Sequence, residues 1–182
     1  MQKQSFVLKG DICFSKNKDE IKNIHDGYVV CIDGISKGAY EKIPEEYKDL
    51  EVIDYSGKLI LPGLIDLHVH APQFSYRGLG MDLELIDWLN TYTFPQEAKY
   101  ADIKYAREMY QRFVDDVKSG PNTRSVVFGT LHVESTIELM DIFEKSGMVS
   151  YIGKVNMDRN GSENLQEESA NQSAKDTIRW IE

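Results

Sequence analysis

The sequence predicts an α/β fold in which part of a small β module precedes the first strands and helices of a parallel sheet. Residues 1–57 contain short apolar or alternating segments bounded by glycines and charged turns, which are typical of β-strands. From residue 58 onward, apolar strand-like segments alternate with amphipathic helical ones. This alternation indicates parallel strands joined by helical crossovers. We therefore predict two domains, 1–57 and 58–182.

The first domain is predicted to contain only short strands. They cover residues 6–8, 12–14, 27–34 and 50–55, with a polar loop or hairpin tip at 15–26. Segment 41–49 carries Pro44 and several charges, which favour a loop or a single helical turn. This block is too short to close a stable sandwich alone, so we expect it to pair with other strands.

The second domain opens on an apolar strand that ends in two histidines. The strand is predicted over 59–67 and, being apolar almost throughout, is expected to be covered on both faces. Side chains two residues apart on a strand share one face, so His68 and His70 would project the same way. Such a pair suits zinc or a similar divalent ion, although two unrelated polar residues at a strand end would show the same pattern.

Helices and strands alternate after these histidines. The predicted elements are a helix from the N-cap Asp82 to about Pro95, a helix at 102–118, a strand at 125–131, a helix at 135–145, a strand at 148–155, a polar loop at 158–173 and a helix from Asp176. Three strands do not close an eight-stranded barrel, which needs about 250 residues. We therefore expect the 182 residues to be the N-terminal part of a longer protein.

Charge and hydropathy exclude several classes of partner. The net charge of −9 argues against a surface for nucleic acid or anionic membranes, because both require clustered lysines and arginines. No apolar run approaches the roughly 18 residues of a membrane span, and the first residues lack the apolar region of a signal peptide. We expect a cytoplasmic protein with no nucleic-acid or membrane partner.

The histidine motif and its flanks resemble the amidohydrolase superfamily. Pro62-Gly63-Leu64-Ile65-Asp66-Leu67-His68-Val69-His70 is similar to the signature of the first barrel strand in that superfamily. Segments 70–73, 85–95 and 153–158 resemble the guanine deaminases within it. The resemblance covers residues 57–160. It implies a partial (β/α)8 TIM-type barrel, preceded by part of a β-sandwich that is built from both chain termini.

The resemblance implies a metal-dependent hydrolase that converts guanine to xanthine and ammonia. By the family pattern, His68 and His70 are ligands of one divalent metal ion, zinc or iron, which activates water. Gln73 corresponds to the residue that hydrogen-bonds the purine, and its amide offers a donor and an acceptor to a lactam edge. A solvated loop glutamine is the alternative for Gln73. The family also tends to dimerise, so a homodimer is expected.

The other functional residues of the family have no counterpart in these 182 residues. They are two more histidines and an aspartate that bind the metal, a glutamate that transfers protons and an arginine that contacts the purine. Zinc catalysis requires at least three protein ligands and an open position. We therefore predict no catalytic residue within this chain and little or no activity from it alone.

Two alternatives stay open at this point. The chain can belong to an amidohydrolase that acts on another amino- or chloro-heterocycle, or it can be a non-catalytic truncated chain or a subunit of a shared barrel. His132-Val133-Glu134 matches the His-x-Glu of the other zinc deaminase class, but no Pro-Cys-x-x-Cys follows, which argues against that class. His132 follows the second predicted strand and can line the pocket, although a structural role is favoured.

Overall fold

The division of the chain lies between Pro62 and Gly63. Residues 5–182 are described by a computed structural model, in which the chain forms two units, Met1–Pro62 and Gly63–Glu182. The division falls after the predicted boundary at 57–58, because Leu59 and Ile60 pair with a strand of the first unit. The single strand predicted over 59–67 is therefore wrong. Pro62 has no N–H for a strand ladder and lies between two separate strands.

The first unit is a four-stranded sheet with the order β3-β2-β1-β4. Its strands are β1 (Phe6–Ser15), β2 (Ile21–Ile32), β3 (Ile35–Tyr40) and β4 (Val52–Ile60). β1 is antiparallel to β2 and parallel to β4. The two pieces predicted at 6–8 and 12–14 are one strand, in which the pairing register shifts between Gly10 and Ile12. The predicted helical turn in 41–49 is confirmed as a 3-10 turn at Glu45–Tyr47.

The second unit contains a three-stranded parallel sheet with the order β5-β6-β7, which confirms the predicted parallel pairing. The strands are β5 (Leu64–His70), β6 (Asn122–Phe128) and β7 (Val149–Gly153). β6 starts and ends three residues before its predicted bounds of 125–131. Ile65 and Leu67 of β5 are 55% and 72% exposed, so the expected covering of both strand faces is not found within residues 5–182.

A largely helical segment connects β5 to the first long helix. It consists of a 3-10 helix (Ala71–Tyr76), α1 (Leu85–Trp88), a π-helical turn (Leu89–Thr93), α2 (Phe94–Glu97) and a second 3-10 turn (Ala98–Ala101), with a loop between the first two. The prediction that the helix ends near Pro95 is wrong. Pro95 lies in the first turn of α2, where a proline needs no N–H partner. The predicted cap at Asp82 is also wrong, since Glu84 precedes α1.

Three longer helices follow: α3 (Ile103–Ser119), α4 (Val133–Ser146) and α5 (Ala170–Ile181). The cap predicted at Asp102 is confirmed, because its side chain accepts the Lys104 N–H at 2.8 Å. Gly147 ends α4 with a φ of 78°, a left-handed conformation that favours glycine. The start predicted for α5 at Asp176 is wrong, because Ser169 caps the helix several residues earlier.

The core of the second unit lies between the sheet and the helices α3 and α4. Val69, Val127 and Ile152 come from the three strands and pack against buried residues of both helices, among them Tyr110 and Phe143. This packing fixes the carboxyl ends of β5 and β6 beside each other, where polar side chains of a parallel α/β sheet usually form sites. Within the described part of the chain, no helix is long and apolar enough to cross a membrane.

Candidate active site

The two histidines at the end of β5 face each other. His68 is exposed and His70 is half-buried, and their Nε2 atoms are 3.1 Å apart. The rings lie on one side of the strand, as the two-residue period of a strand predicts. Two imidazole nitrogens at about 2 Å from a tetrahedral zinc ion lie roughly 3.3 Å from each other. The observed separation therefore fits a pair that shares one ion.

Phe128 holds both imidazoles in place. It is the last residue of β6 and is paired with His70 in the strand register. Its ring stacks on His70 at a centroid distance of 4.6 Å and contacts His68 at 4.7 Å. Burial, and secondly the neighbouring His68 ring, lower the pKa of His70. His70 is therefore neutral at neutral pH and can offer a lone pair to a metal.

The described residues supply only these two nitrogens at this point. Within residues 5–182, no group of three or more histidine, cysteine, aspartate or glutamate side chains is arranged to hold a metal ion. Asp66 precedes the pair on the same strand, but its Oδ1 accepts the backbone N–H of His68 at 3.0 Å. The Asp66 carboxylate thus binds the backbone at the end of β5. No hydrogen bond among residues 5–182 joins it to either imidazole.

Gln73 lies in the 3-10 helix that begins directly after His70, and its side chain is half-buried. Its Nε2 donates to Oε1 of Glu97 at 3.4 Å, and the Tyr76 hydroxyl donates to the same oxygen at 3.5 Å. Glu97 is only 6% exposed, and burial raises its pKa to about 7, although the bonds from Gln73 and Tyr76 oppose this rise. Gln73 is thus held by a buried partner and is not a solvated loop residue.

His132 occupies a separate environment after β6. It caps α4 through its backbone, and its Nε2 is buried without a hydrogen-bond partner among residues 5–182. Burial and the nearby Lys154 lower its pKa. Lys154 itself forms a buried ion pair of 2.5 Å with Glu167. No hydrogen bond or ring contact in the described range joins His132 to His68 or His70.

The sequence profile of the amidohydrolase family matches residues 59–181. This chain belongs to the amidohydrolase family. The match begins at the end of β4 and extends through α5, so it covers most of the second unit of this amidohydrolase. The resemblance based on the histidine motif is confirmed.

Guanine deaminases are among the relatives that this amidohydrolase resembles. It is 35% identical over 168 residues to the guanine deaminase of Rattus norvegicus, in a match that covers 90% of this chain and 37% of the relative. A crystal structure of guanine deaminase from C. acetobutylicum with guanine bound in the active site superposes with a TM-score of 0.91 at 42% identity, covering 98% of this chain and 42% of that one. The chain thus spans less than half the length of the relatives it matches.

A triazine hydrolase from Arthobacter aurescens is also similar in structure. It superposes with a TM-score of 0.81 over 98% of this chain and 42% of that one, but the two sequences are only 13% identical. At that identity, the likeness shows a shared fold alone. The mixed α/β fold of this chain agrees with its membership of the amidohydrolase family, which rests on the match to the family profile.

Two residues of the site were missed by sequence reasoning. Phe128 lies within the strand predicted at 125–131, and the pairing of this strand with β5 is the signal that places its ring beside the histidines. Glu97 was missed because Pro95 was taken as the end of the helix. The available signal was a carboxylate two residues after Pro95, in a segment that already resembled the family.

Proposed function

We propose that this chain forms the first part of the active site of a guanine deaminase, which hydrolyses guanine to xanthine and ammonia. The observation that carries the proposal is the pair of imidazole nitrogens 3.1 Å apart, with Gln73 on the turn that follows. The 42% identity to a guanine deaminase with bound guanine favours this substrate. The 13% identity to the triazine hydrolase gives no comparable support for a triazine.

His68 and His70 would hold one divalent metal ion, zinc or iron, through their Nε2 atoms. When bound, such an ion supplies the Lewis acidity that makes water reactive at neutral pH. His70 contributes as a neutral imidazole, because its surroundings lower its pKa. Zinc catalysis needs at least three protein ligands, so the remaining ligands and the proton-transferring carboxyl would come from residues outside these 182.

Gln73 would bind the purine beside this ion. Its amide nitrogen already donates to Glu97, which leaves its carbonyl oxygen as the group that can accept an N–H from guanine. Binding through a preformed contact of this kind orients the carbon that carries the amino group toward the histidines. Gln73 therefore binds and positions the substrate and takes no part in proton transfer.

The two sheets would be parts of a larger architecture. We propose that β5, β6 and β7 are the first three strands of a (β/α)8 barrel, and that the sheet of the first unit is one half of a β-sandwich. The exposed apolar side chains of Ile65, Leu67 and Tyr151 support this proposal, since further barrel strands and helices would cover them. A homodimer and a cytoplasmic location remain predictions.

A substrate panel tests the proposed function. The complete protein, purified with zinc, is given guanine, adenine, cytosine and an aminotriazine, and products are separated by chromatography. We expect xanthine and ammonia from guanine and no comparable turnover of the other compounds. Turnover of the triazine without turnover of guanine would contradict the proposal. In the same assay the 182-residue chain alone is expected to be inactive, and xanthine formation by it would refute the shared metal site.

A further inference from the structure

Glu97 is a buried carboxyl group without a cation. Its side chain is 6% exposed, and none of the ion pairs among residues 5–182 includes it. The titratable groups that face it are three tyrosines: Tyr76 from the 3-10 helix, Tyr100 from the turn after α2, and Tyr110 from α3. A buried carboxyl without a counter-ion costs stability, so it is typical of sites that use it.

The hydrogen bonds of Glu97 connect it to Gln73, the proposed substrate-binding residue. One oxygen, Oε1, accepts both from Gln73 Nε2 and from the Tyr76 hydroxyl. An ionised carboxylate can only accept hydrogen bonds, so the amide of Gln73 must turn its NH2 group toward Glu97. The carbonyl oxygen of Gln73 is then directed away, and no donor reaches it within the part of the chain that is described. This oxygen is an unused acceptor on the turn that follows His70.

We propose that Glu97 is a positioning residue, which fixes the amide of Gln73 so that the carbonyl oxygen accepts an N–H of the purine. The two ends of a glutamine amide are nearly equal in size, so an unsupported Gln73 would present either end. Only the carbonyl end attracts a ring N–H; the NH2 end repels it. Residues that orient metal ligands from behind typically change affinity or activity by roughly 10–100-fold, and we expect an effect at the lower end of that range for Gln73. This inference rests on the proposed function for its substrate.

Kinetics of the complete protein test the inference. Glu97→Met removes the acceptor but keeps the length of the side chain, whereas Glu97→Gln keeps an acceptor oxygen. We expect Glu97→Met to raise KM for guanine roughly tenfold with kcat changed less than about threefold, because binding is lost equally before and in the transition state. Glu97→Gln is expected to stay within about threefold of wild type. Equal losses in both variants, or a loss in kcat alone, would overturn the inference.

A double-mutant cycle separates positioning from a general structural effect. If Glu97 acts through Gln73, then Glu97→Met should add less than about a twofold change once Gln73→Met is present. Independent, additive losses in KM would show that Glu97 does not act through Gln73. Either result decides the question.

Nuclear magnetic resonance of the complete protein gives a readout that needs no activity. The side-chain NH2 signal of Gln73 is identified by its loss in Gln73→Met. We expect this signal to titrate with a midpoint near pH 7, the pKa of Glu97, and to lose that step in Glu97→Gln. The facing tyrosines stay neutral there, because burial raises their pKa values above 10. A Gln73 signal that is the same in wild type, Glu97→Gln and Glu97→Met at every pH overturns the inference, whereas a signal that depends on Glu97 in a protein inactive on guanine refutes only the proposed function.

Discussion

The His68–His70 pair and the Gln73–Glu97 contact, two parts of the candidate site, differ in how far apart their residues lie in the sequence. The two histidines lie two positions apart on one strand, and no third ligand is arranged beside them among residues 5–182. The Gln73–Glu97 contact joins residues 24 positions apart and already has a donor and a buried acceptor in place. The proposed metal ligands are therefore close in sequence and have no third ligand beside them among residues 5–182, whereas the proposed substrate contact joins residues distant in sequence and has both of its partners in place. The two ends should respond differently to substitution.

The metal end should give the largest effect on activity. Replacing His68 or His70 by alanine would remove a proposed metal ligand, and the loss should exceed the roughly 10–100-fold typical of residues behind a metal ligand, on the order of a thousandfold in kcat/KM. Zinc content, measured by atomic absorption, should fall in the same variants of the complete protein. His25→Ala is the matched control, since His25 is 91% exposed in the first unit. Unchanged activity in His68→Ala and His70→Ala would contradict the metal assignment.

Glu97, at the proposed substrate end, should make the free energy of unfolding depend on pH. The folded-state pKa of Glu97 is raised from 4.5 to about 7, so folding favours the protonated form. That contribution is fully present below pH 4.5 and is lost as pH rises through 7. We expect the free energy of unfolding of wild type, relative to Glu97→Gln, to fall by about 3 kcal/mol between about pH 4 and pH 8. Urea denaturation at a series of pH values measures this difference.

Glu138 provides a control of opposite sign. A hydrogen bond from Arg107 is the main cause that lowers the pKa of Glu138. Its contribution is therefore present above the ordinary pKa of a glutamate and is lost as pH falls. Glu138→Gln should change the stability difference in the direction opposite to Glu97→Gln. If both variants follow the same pH dependence, burial of Glu97 is not the cause.

The smallest effect on metal binding is expected from Phe128, at the end of β6 beside β5. Phe128→Leu removes the ring that lies against His68 and His70 but keeps an apolar side chain at the end of β6. Ring–ring contacts of this type contribute about 1 kcal/mol, so zinc affinity should fall only severalfold. Competition with a chelating dye measures that affinity in the complete protein. A change as large as that of His68→Ala would mean that Phe128 supports the whole strand end.

The difference between contacts that are local and contacts that are distant in sequence also explains which features could be predicted from the sequence. Patterns within one element were read correctly: the shared side of His68 and His70, the cap at Asp102 and the glycine that ends α4 at Gly147. Each depends on the geometry of a few consecutive residues. The parallel order of the strands followed from the alternation of strand-like and helical segments, which is likewise a local pattern.

Features that depend on distant partners were misjudged. The strand assigned to 59–67 was divided, because Leu59 and Ile60 pair with β1 in another part of the chain. The predicted helix end near Pro95 is wrong because this proline lies in the first turn of α2, where it needs no N–H partner, so the helix continues to Glu97. Neither the register of β4 nor the contact of Gln73 with Glu97 is encoded in a local spacing, so both became visible only in the folded chain.

One measurement tests the central claim most directly. Crystals of the complete protein grown with zinc and guanine are measured with X-rays on both sides of the zinc absorption edge. We predict an anomalous density peak for a zinc ion about 2 Å from Nε2 of both His68 and His70, with Gln73 in contact with the purine. Zinc held by other residues, or guanine bound away from Gln73, would contradict the account.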